Sequence, residues 1–417
     1  MICLIGAATV AAAQDQPAPE NPEPVETAPA DETEERRADD ASLTEDPEEQ
    51  RRAIEEQRAA DSMLAPEDER EFDFEWYGSA RVHGINTFKL DSGDRTLEVS
   101  DGNSRIGFRG DWRFLPKWEL FGRAEFGIDL VERFTTRGDL QGDGGLTDRL
   151  LFAGLDSDNL SVIFGKNWSA YYRVAGTTDR FAIFGGSASG TYNAGTSGQA
   201  TGTGRADDVL QARVYIDNRK WLGIFKPFNL NLQYQLAQPI PQVQNEKYTD
   251  SFGTSAWLEM QSELGIGIGY NRARIRDPER PEIRAAGIDG DAEALAISTR
   301  AFGDRWYVSL LYSVLKNMEI TDQGRYYNAR GFELYAQWEF RDNWWLIGGT
   351  NILEPDSDDP DVGQFRTRYH VIGGRYTFDS FYRMLYFEYR IDDSRFFDGT
   401  PGKDELTIGV RWDFGND

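Results

Sequence analysis

Over residues 72–414, apolar and polar side chains alternate with a period of two, and this pattern limits the possible folds more than any other feature. Within residues 118–130, every second residue is apolar or small, while the residues between them include Glu119 and Arg123. Side chains that alternate in this way point to opposite faces of a β-strand. The sequence therefore predicts strands with one face suited to hydrocarbon and the other to water. The same alternation is present in residues 105–114, 228–236 and 332–340.

Alternation alone fits either a soluble β-sandwich or a membrane barrel. The connections separate the two, because short links alternate with longer polar ones, as in hairpins that cross a slab. The short links are 115–117, 303–305, 341–343 and 379–380, and the long ones include 89–103, 276–291 and 354–364. Aromatic residues such as Phe114 and Trp118 flank the short links, which predicts an aromatic belt at one membrane interface.

The predicted fold class is therefore all-β, a transmembrane antiparallel β-barrel over residues 72–417. About sixteen strands of roughly ten residues fit into this part of the chain. A barrel of that width encloses more space than side chains fill, which predicts a water-filled channel. Hydrophobic residues are 39% of the chain, and no run approaches the roughly 18 apolar residues of a spanning helix. A helical membrane protein is thus excluded.

The N-terminal part has a different composition. Residues 1–13 are short and apolar and end in three alanines, which predicts a signal-peptide remnant. Residues 14–71 contain no aromatic residue, 21 Asp plus Glu and 6 Lys plus Arg, so their net charge is 6 − 21 = −15. We expect a disordered or partly helical periplasmic extension with a short helix over 47–64. It serves either as a cell-wall contact or as a solvated spacer. The chain's net charge of −26 argues against a nucleic-acid partner.

The longest connection, residues 167–207, is rich in Gly, Ser and Thr. Its first half also carries Trp168, Tyr171, Tyr172 and Phe181, which provide enough apolar surface to pack against another part of the protein. Because loops of this length are usually functional or disordered, we predict that this loop folds into the channel and narrows it. The alternative is an exposed, flexible loop.

Four arginines fall on the polar faces of the first strands: Arg81, Arg105, Arg109 and Arg123. Together they form a basic patch on the predicted lumen wall. Carboxylates facing this patch would create a transverse field that favours dipolar solutes over apolar ones. In the alternative interpretation, the arginines pair with acidic residues of their own wall, namely Asp111, Glu125 and Asp129.

Three motifs carry a resemblance to a known family: SRIGFRG at 104–110 with WELFGRAEFGIDL after it, DRLLFAGLDSDNLSVIFGKNWSAYY at 148–172, and LTIGVRWDF at 406–414. Residues 75–414 resemble the Gram-negative general porins. The resemblance implies a sixteen-stranded homotrimer in the outer membrane, in contact with lipid and lipopolysaccharide. It also implies recognition of the closing strand, Leu406 to Phe414, by the barrel-assembly machinery. Three residues after Phe414 and the acidic extension depart from the family pattern.

The resemblance also implies that the third extracellular loop opposes the basic wall inside the pore. The wall residues would be the four arginines named above, and the loop acid would be Asp179. We therefore predict that the loop side of the constriction carries Tyr171, Tyr172, Arg173 and Asp179.

The predicted function is passive diffusion of small hydrophilic solutes and ions. Alternatives are a channel selective for sugars or anions, a barrel that anchors the outer membrane to the cell wall, and a soluble carbohydrate-binding sandwich. No enzyme activity, cofactor or metal is predicted, since His83 and His370 are the only histidines and no phosphate-binding loop occurs. A barrel lipase would need a Ser and a His brought together.

Overall fold

The computed structural model describes residues 72–88, 95–115, 117–131, 146–216, 226, 228–260, 263–356, 360–378 and 383–415. The predicted signal peptide 1–13, the extension 14–71 and its helix 47–64 lie outside these residues. No helix within them is long and apolar enough to span a membrane.

The described residues contain eighteen strands and very little helix, and two short helices lie entirely within them, α1 (Tyr172–Ala175) and α2 (Pro281–Ala285). The strands are β1 (Phe72–Phe88), β2 (Arg95–Asp101), β3 (Arg105–Leu115), β4 (Trp118–Gly127), β5 (Thr147–Ser157), β6 (Leu160–Trp168), β7 (Arg205–Ile216), β8 (Phe228–Gln235), β9 (Gln238–Pro239), β10 (Lys247–Glu259), β11 (Leu264–Ile275), β12 (Ala292–Gly303), β13 (Trp306–Ile320), β14 (Tyr326–Arg341), β15 (Trp344–Pro355), β16 (Thr367–Thr377), β17 (Arg383–Asp392) and β18 (Asp404–Gly415).

These strands form one closed antiparallel barrel, because β1 pairs with β18 as well as with its neighbours in sequence. Strands β2 and β3 pair with successive parts of β1 and together occupy one position in the wall. Strand β9 likewise continues β8 along β10. The eighteen segments therefore fill sixteen positions, which confirms the predicted fold class and strand number.

The period-two pattern places apolar side chains outside and mostly polar ones inside. On β18, for example, Ile408 is 62% exposed, while its neighbours Thr407 and Arg411 are buried on the inner face. The outward apolar side chains of the strands together form a large exposed apolar surface, which a soluble monomer rarely has. The outer wall is therefore suited to lipid.

Short links join the strands at one rim, such as the turn between Arg341 and Trp344. Rings lie close together near this rim: Trp338 and Phe340 have centroids 6.3 Å apart, and Phe378 and Trp412 have centroids 5.8 Å apart. Apolar and polar residues alternate poorly in residues 148–155 and 160–165, and register shifts occur at or next to these segments, in the β4–β5 and β6–β7 pairings. These bulges explain why their inward and outward residues were hard to assign from the sequence.

Candidate pore constriction

Residues 169–204, between β6 and β7, form the inner loop, which lies against the inner face of the barrel. The Tyr307 and Ser309 hydroxyls both donate to the Thr177 carbonyl at 2.9 Å. Ser313 donates to the Ala188 carbonyl at 2.6 Å. These donors belong to β13, so the loop crosses the interior and reaches that part of the wall.

Two wall carboxylates bind the backbone of the inner loop. Glu388 on β17 accepts hydrogen bonds from three consecutive amides, those of Ala182 at 2.5 Å, Ile183 at 3.0 Å and Phe184 at 3.3 Å. Glu333 on β14 accepts from the Ala188 amide at 2.7 Å and from the Thr178 hydroxyl. A loop this deeply buried must find acceptors for its amides. These side chains provide them, so they determine where the loop lies.

Apolar packing completes the attachment of the loop. The inner faces of β11 to β15 carry small or aliphatic residues that pack with the loop residues Tyr171, Val174 and Ala188. Because alanine occupies little space, the loop backbone can approach the wall closely. This part of the interior is therefore filled by packed side chains. The inward residues of this core include Ala273, Ala292, Ala294, Ala296, Leu311, Leu315, Ala329 and Leu353.

The four predicted arginines lie together on the inner face of β1, β3 and β4. Arg81 and Arg105 are both 6% exposed, and Arg81 donates from Nε to Ser79 Oγ at 2.8 Å. Arg109 and Arg123 are directly opposite each other in the β3–β4 register. The structure adds two arginines that the sequence did not single out: Arg149 on β5 and Arg411 on β18. We call these six residues the basic wall.

One carboxylate, Glu125, is shared by three guanidinium groups of the basic wall. It lies 3.9 Å from Arg105, 2.8 Å from Arg123 and 2.9 Å from Arg149. Two other carboxylates contact this wall, since Asp413 pairs with Arg411 at 2.6 Å and Glu75 pairs with Arg109. Pairing within the wall therefore occurs, and of the three acidic residues named in the alternative interpretation of the sequence, Glu125 is a partner in these ion pairs. Among the described contacts, the six arginines of the basic wall thus lie beside three carboxylates, those of Glu125, Asp413 and Glu75.

The loop residues predicted for the constriction are largely internal to the loop. Tyr171 is fully buried and donates to the Ser189 carbonyl at 2.6 Å. Tyr172 stacks on Trp168 with centroids 4.0 Å apart. Asp179 is 0% exposed and accepts hydrogen bonds from the Tyr172 hydroxyl at 3.2 Å and the Tyr192 hydroxyl at 2.8 Å. Its carboxyl group therefore joins two parts of the loop and is hidden from lumen water. Arg173 is partly exposed in α1.

Burial raises the pKa of Asp179 well above its usual value, and the nearby Glu333 adds to this effect. A raised folded-state pKa means that the protonated group stabilises the loop at low pH and that this contribution is lost as the pH rises. We expect Asp179→Asn, which keeps an acceptor oxygen and cannot ionise, to increase thermal stability at pH 8 and to change it little at pH 4. Thermal unfolding in detergent at both values measures this.

The same variant tests whether Asp179 contributes to ion selection. Since the carboxyl group is buried, the reversal potential of Asp179→Asn in a salt gradient should equal that of the wild type. A marked shift toward anions would place an ionised Asp179 in the lumen and contradict this arrangement.

The two histidines lie on opposite faces of the wall, His83 buried on β1 and His370 exposed on β16. Within the described residues, no three His, Cys, Asp or Glu side chains are grouped closely enough to hold a metal ion.

Sequence reasoning did not single out Arg149, Arg411 and Glu388 as residues of the candidate constriction. Arg149 lies at a bulge opposite Glu125, which hid its inward direction. Arg411 is on the polar face of the last strand, and its place beside Arg81 follows from the closure of the barrel. No local signal marks Glu388, because its partners are more than 200 residues away in sequence.

Comparison with known proteins gives consistent matches. A family model described as a Gram-negative porin matches residues 4–416. Outer membrane protein F of Serratia marcescens is 25% identical in an alignment of 357 positions that covers 79% of this chain and 88% of that protein. Outer membrane porin PhoE of Enterobacter cloacae is 26% identical in an alignment of 358 positions that covers 81% of this chain and 94% of that protein. The structure of Salmonella typhi OmpF in complex with daunomycin is similar, with a TM-score of 0.67 and 20% identity, covering 84% of this chain and 100% of that one.

Proposed function

This chain belongs to the Gram-negative porin family, and on that premise we propose that the space between the basic wall and the inner loop is a pore constriction that favours small anions. The protein is an outer-membrane porin that forms a water-filled channel for passive diffusion of small hydrophilic solutes. Family membership fixes this general activity. The choice among solutes depends on the charges at the narrowest part.

The observation that carries the proposal is the excess of guanidinium groups around Glu125. The guanidinium groups of Arg105, Arg123 and Arg149 all lie within 3.9 Å of this carboxylate. The acidic residues that hold the inner loop, Glu333 and Glu388, accept hydrogen bonds from loop amides, and within the described residues neither forms an ion pair with the basic wall. A low-dielectric cleft lined by one sign of charge concentrates counter-ions. Anions should therefore be enriched beside the basic wall.

We expect the wild-type channel in planar bilayers to give a reversal potential of anion-selective sign in a KCl gradient. Arg81→Gln and Arg411→Gln should each shift this potential toward cations, because each removes one positive charge from the wall. The control is Arg272→Gln, which removes the same charge from an exposed position where Arg272 pairs with Asp291 at 2.6 Å. A cation-selective or non-selective wild type would overturn the proposal.

We further propose a homotrimer, following the family, and an N-terminal extension in the periplasm. The extension joins β1 at Phe72, and Phe72 pairs with Trp112 close to a short link. Since short links face the periplasm in such barrels, the extension should emerge there. Closure in three equal steps under voltage would support the trimer, and a single step would contradict it. Protease digestion of intact cells should spare residues 14–71 unless the outer membrane is permeabilised.

A further inference from the structure

Aromatic side chains lie on the inner face of the basic wall, where a water-filled channel would ordinarily carry polar groups. Phe121 on β4 is on the same face as Arg123. Phe152 on β5 is the direct cross-strand neighbour of Arg123. Tyr77 on β1 contacts Arg123 from the other side, with the guanidinium carbon 4.8 Å from the ring centroid. All three rings are partly exposed, neither fully buried nor free. We call these three rings the aromatic patch.

Glycines allow two of these rings to approach the wall closely. A Cβ atom at Gly154 would collide with the ring of Phe121, and one at Gly107 would collide with the ring of Tyr77. Each ring therefore lies directly against a glycine of the neighbouring strand. Both side chains stay partly exposed on the inner face of the wall. Phe121 and Phe152 are 6.2 Å apart between centroids, with an interplanar angle of 74°.

The aromatic patch therefore combines apolar ring faces with an adjacent cation. Arg123 is held in this position, since it donates from Nε to the Tyr77 oxygen at 2.5 Å and from Nη2 to Glu125 at 2.8 Å. A ring face attracts another ring in a stacked or edge-on arrangement, and water is released from both apolar surfaces. The guanidinium attracts an anionic group on the same solute.

We propose that the aromatic patch is a transient binding subsite for aromatic carboxylates, at which the ring of the solute contacts Phe121 and Phe152 while its carboxylate lies beside Arg123. This inference rests on the proposal that the basic wall lines the constriction. It adds that the channel selects among anions by their apolar part and not by charge and size alone. Hydrophilic anions pass this region without being retained.

Block of chloride current tests the proposal. Benzoate, cyclohexanecarboxylate and acetate are added in turn to a purified channel in a planar bilayer, and the half-blocking concentration of each is measured. Benzoate should block the wild type at a concentration about fivefold lower than acetate and also lower than cyclohexanecarboxylate, because an aromatic contact adds to simple burial of apolar area. Equal half-blocking concentrations for the three anions would overturn the inference.

Variants separate the aromatic contact from other effects. In the double variant Phe121→Leu, Phe152→Leu, the wall stays apolar but loses both ring faces, so benzoate and cyclohexanecarboxylate should block equally. The matched control Phe332→Leu changes a ring on the lipid-facing side of β14 and should keep the wild-type ranking. If the double variant also keeps that ranking, the aromatic patch is not the subsite.

The reversal potential of the same channels in a KCl gradient separates the proposed subsite from the proposed anion-selective constriction. An anion-selective wild type that does not prefer benzoate would refute the subsite alone. A wild type without anion selectivity would refute the proposed constriction, whatever the block by benzoate.

Discussion

Glu388→Leu is expected to detach the middle of the inner loop from the barrel wall and to increase single-channel conductance. In the intact protein this carboxylate accepts hydrogen bonds from the amides of Ala182, Ile183 and Phe184. Leucine has no acceptor, and each buried amide left unpaired costs about 1–3 kcal/mol. The combined cost of three unpaired amides is large compared with the free energy that holds a loop segment in place. The amides should therefore move to water, and the lumen should widen.

Chemical labelling detects detachment of the inner loop without a measurement of channel current. Ser189→Cys introduces a nearly isosteric thiol at a residue that is fully buried in the loop. Cys3→Ser is combined with it to remove the other thiol of the chain. In this double variant the thiol at position 189 should react slowly with a small thiol reagent, and adding Glu388→Leu should make it react quickly. With Glu388→Gln, which retains one acceptor oxygen, the rate of labelling should lie between these two.

Glu339→Leu is the control for that experiment, since Glu339 lies on β14 and its carboxylate accepts a hydrogen bond from the Asn343 amide at the short link. It should leave conductance and labelling unchanged. Unaltered conductance and slow labelling in Glu388→Leu would show that the three hydrogen bonds do not hold the loop.

Glu125→Gln is expected to lower stability and to strengthen anion selectivity at the same time. Glu125 contacts the guanidinium groups of Arg105, Arg123 and Arg149 and accepts from the Tyr77 hydroxyl at 2.7 Å. Removing one partner from a buried ion pair costs about 3–5 kcal/mol, because the remaining charge is uncompensated. Thermal unfolding in detergent measures the loss of stability, and the reversal potential in a KCl gradient measures the change in selectivity.

Glu75→Gln provides the comparison for this prediction. Glu75 pairs with Arg109, and that arginine is 31% exposed, so the pair is far better solvated than the Glu125 cluster. Pairs in contact with water contribute about 0–1 kcal/mol, and the loss of stability should be correspondingly small. If both variants unfold at the same temperature, Glu125 does not hold the arginines together.

The inward and outward faces of most strands follow from the sequence alone. On β4, the exposed Trp118 and Leu120 alternate with inward residues such as Glu119 and Arg123, as the period-two pattern predicts. This pattern is local, because the direction of each side chain depends only on its position along an extended strand. It breaks where a bulge inserts a residue, which is why Arg149 was not recognised.

The sequence by itself thus determined the barrel, its lipid-facing surface and the patch of four arginines, since each arises from residues close together along the chain. Only the tertiary structure brought Arg411 beside Arg81, directed Asp179 into the loop interior and placed Glu388 under three amides. The physical reason is that hydrogen bonds and burial inside the barrel connect residues tens to hundreds of positions apart. Which polar group is satisfied by which partner therefore depends on closure of the barrel and the path of the inner loop.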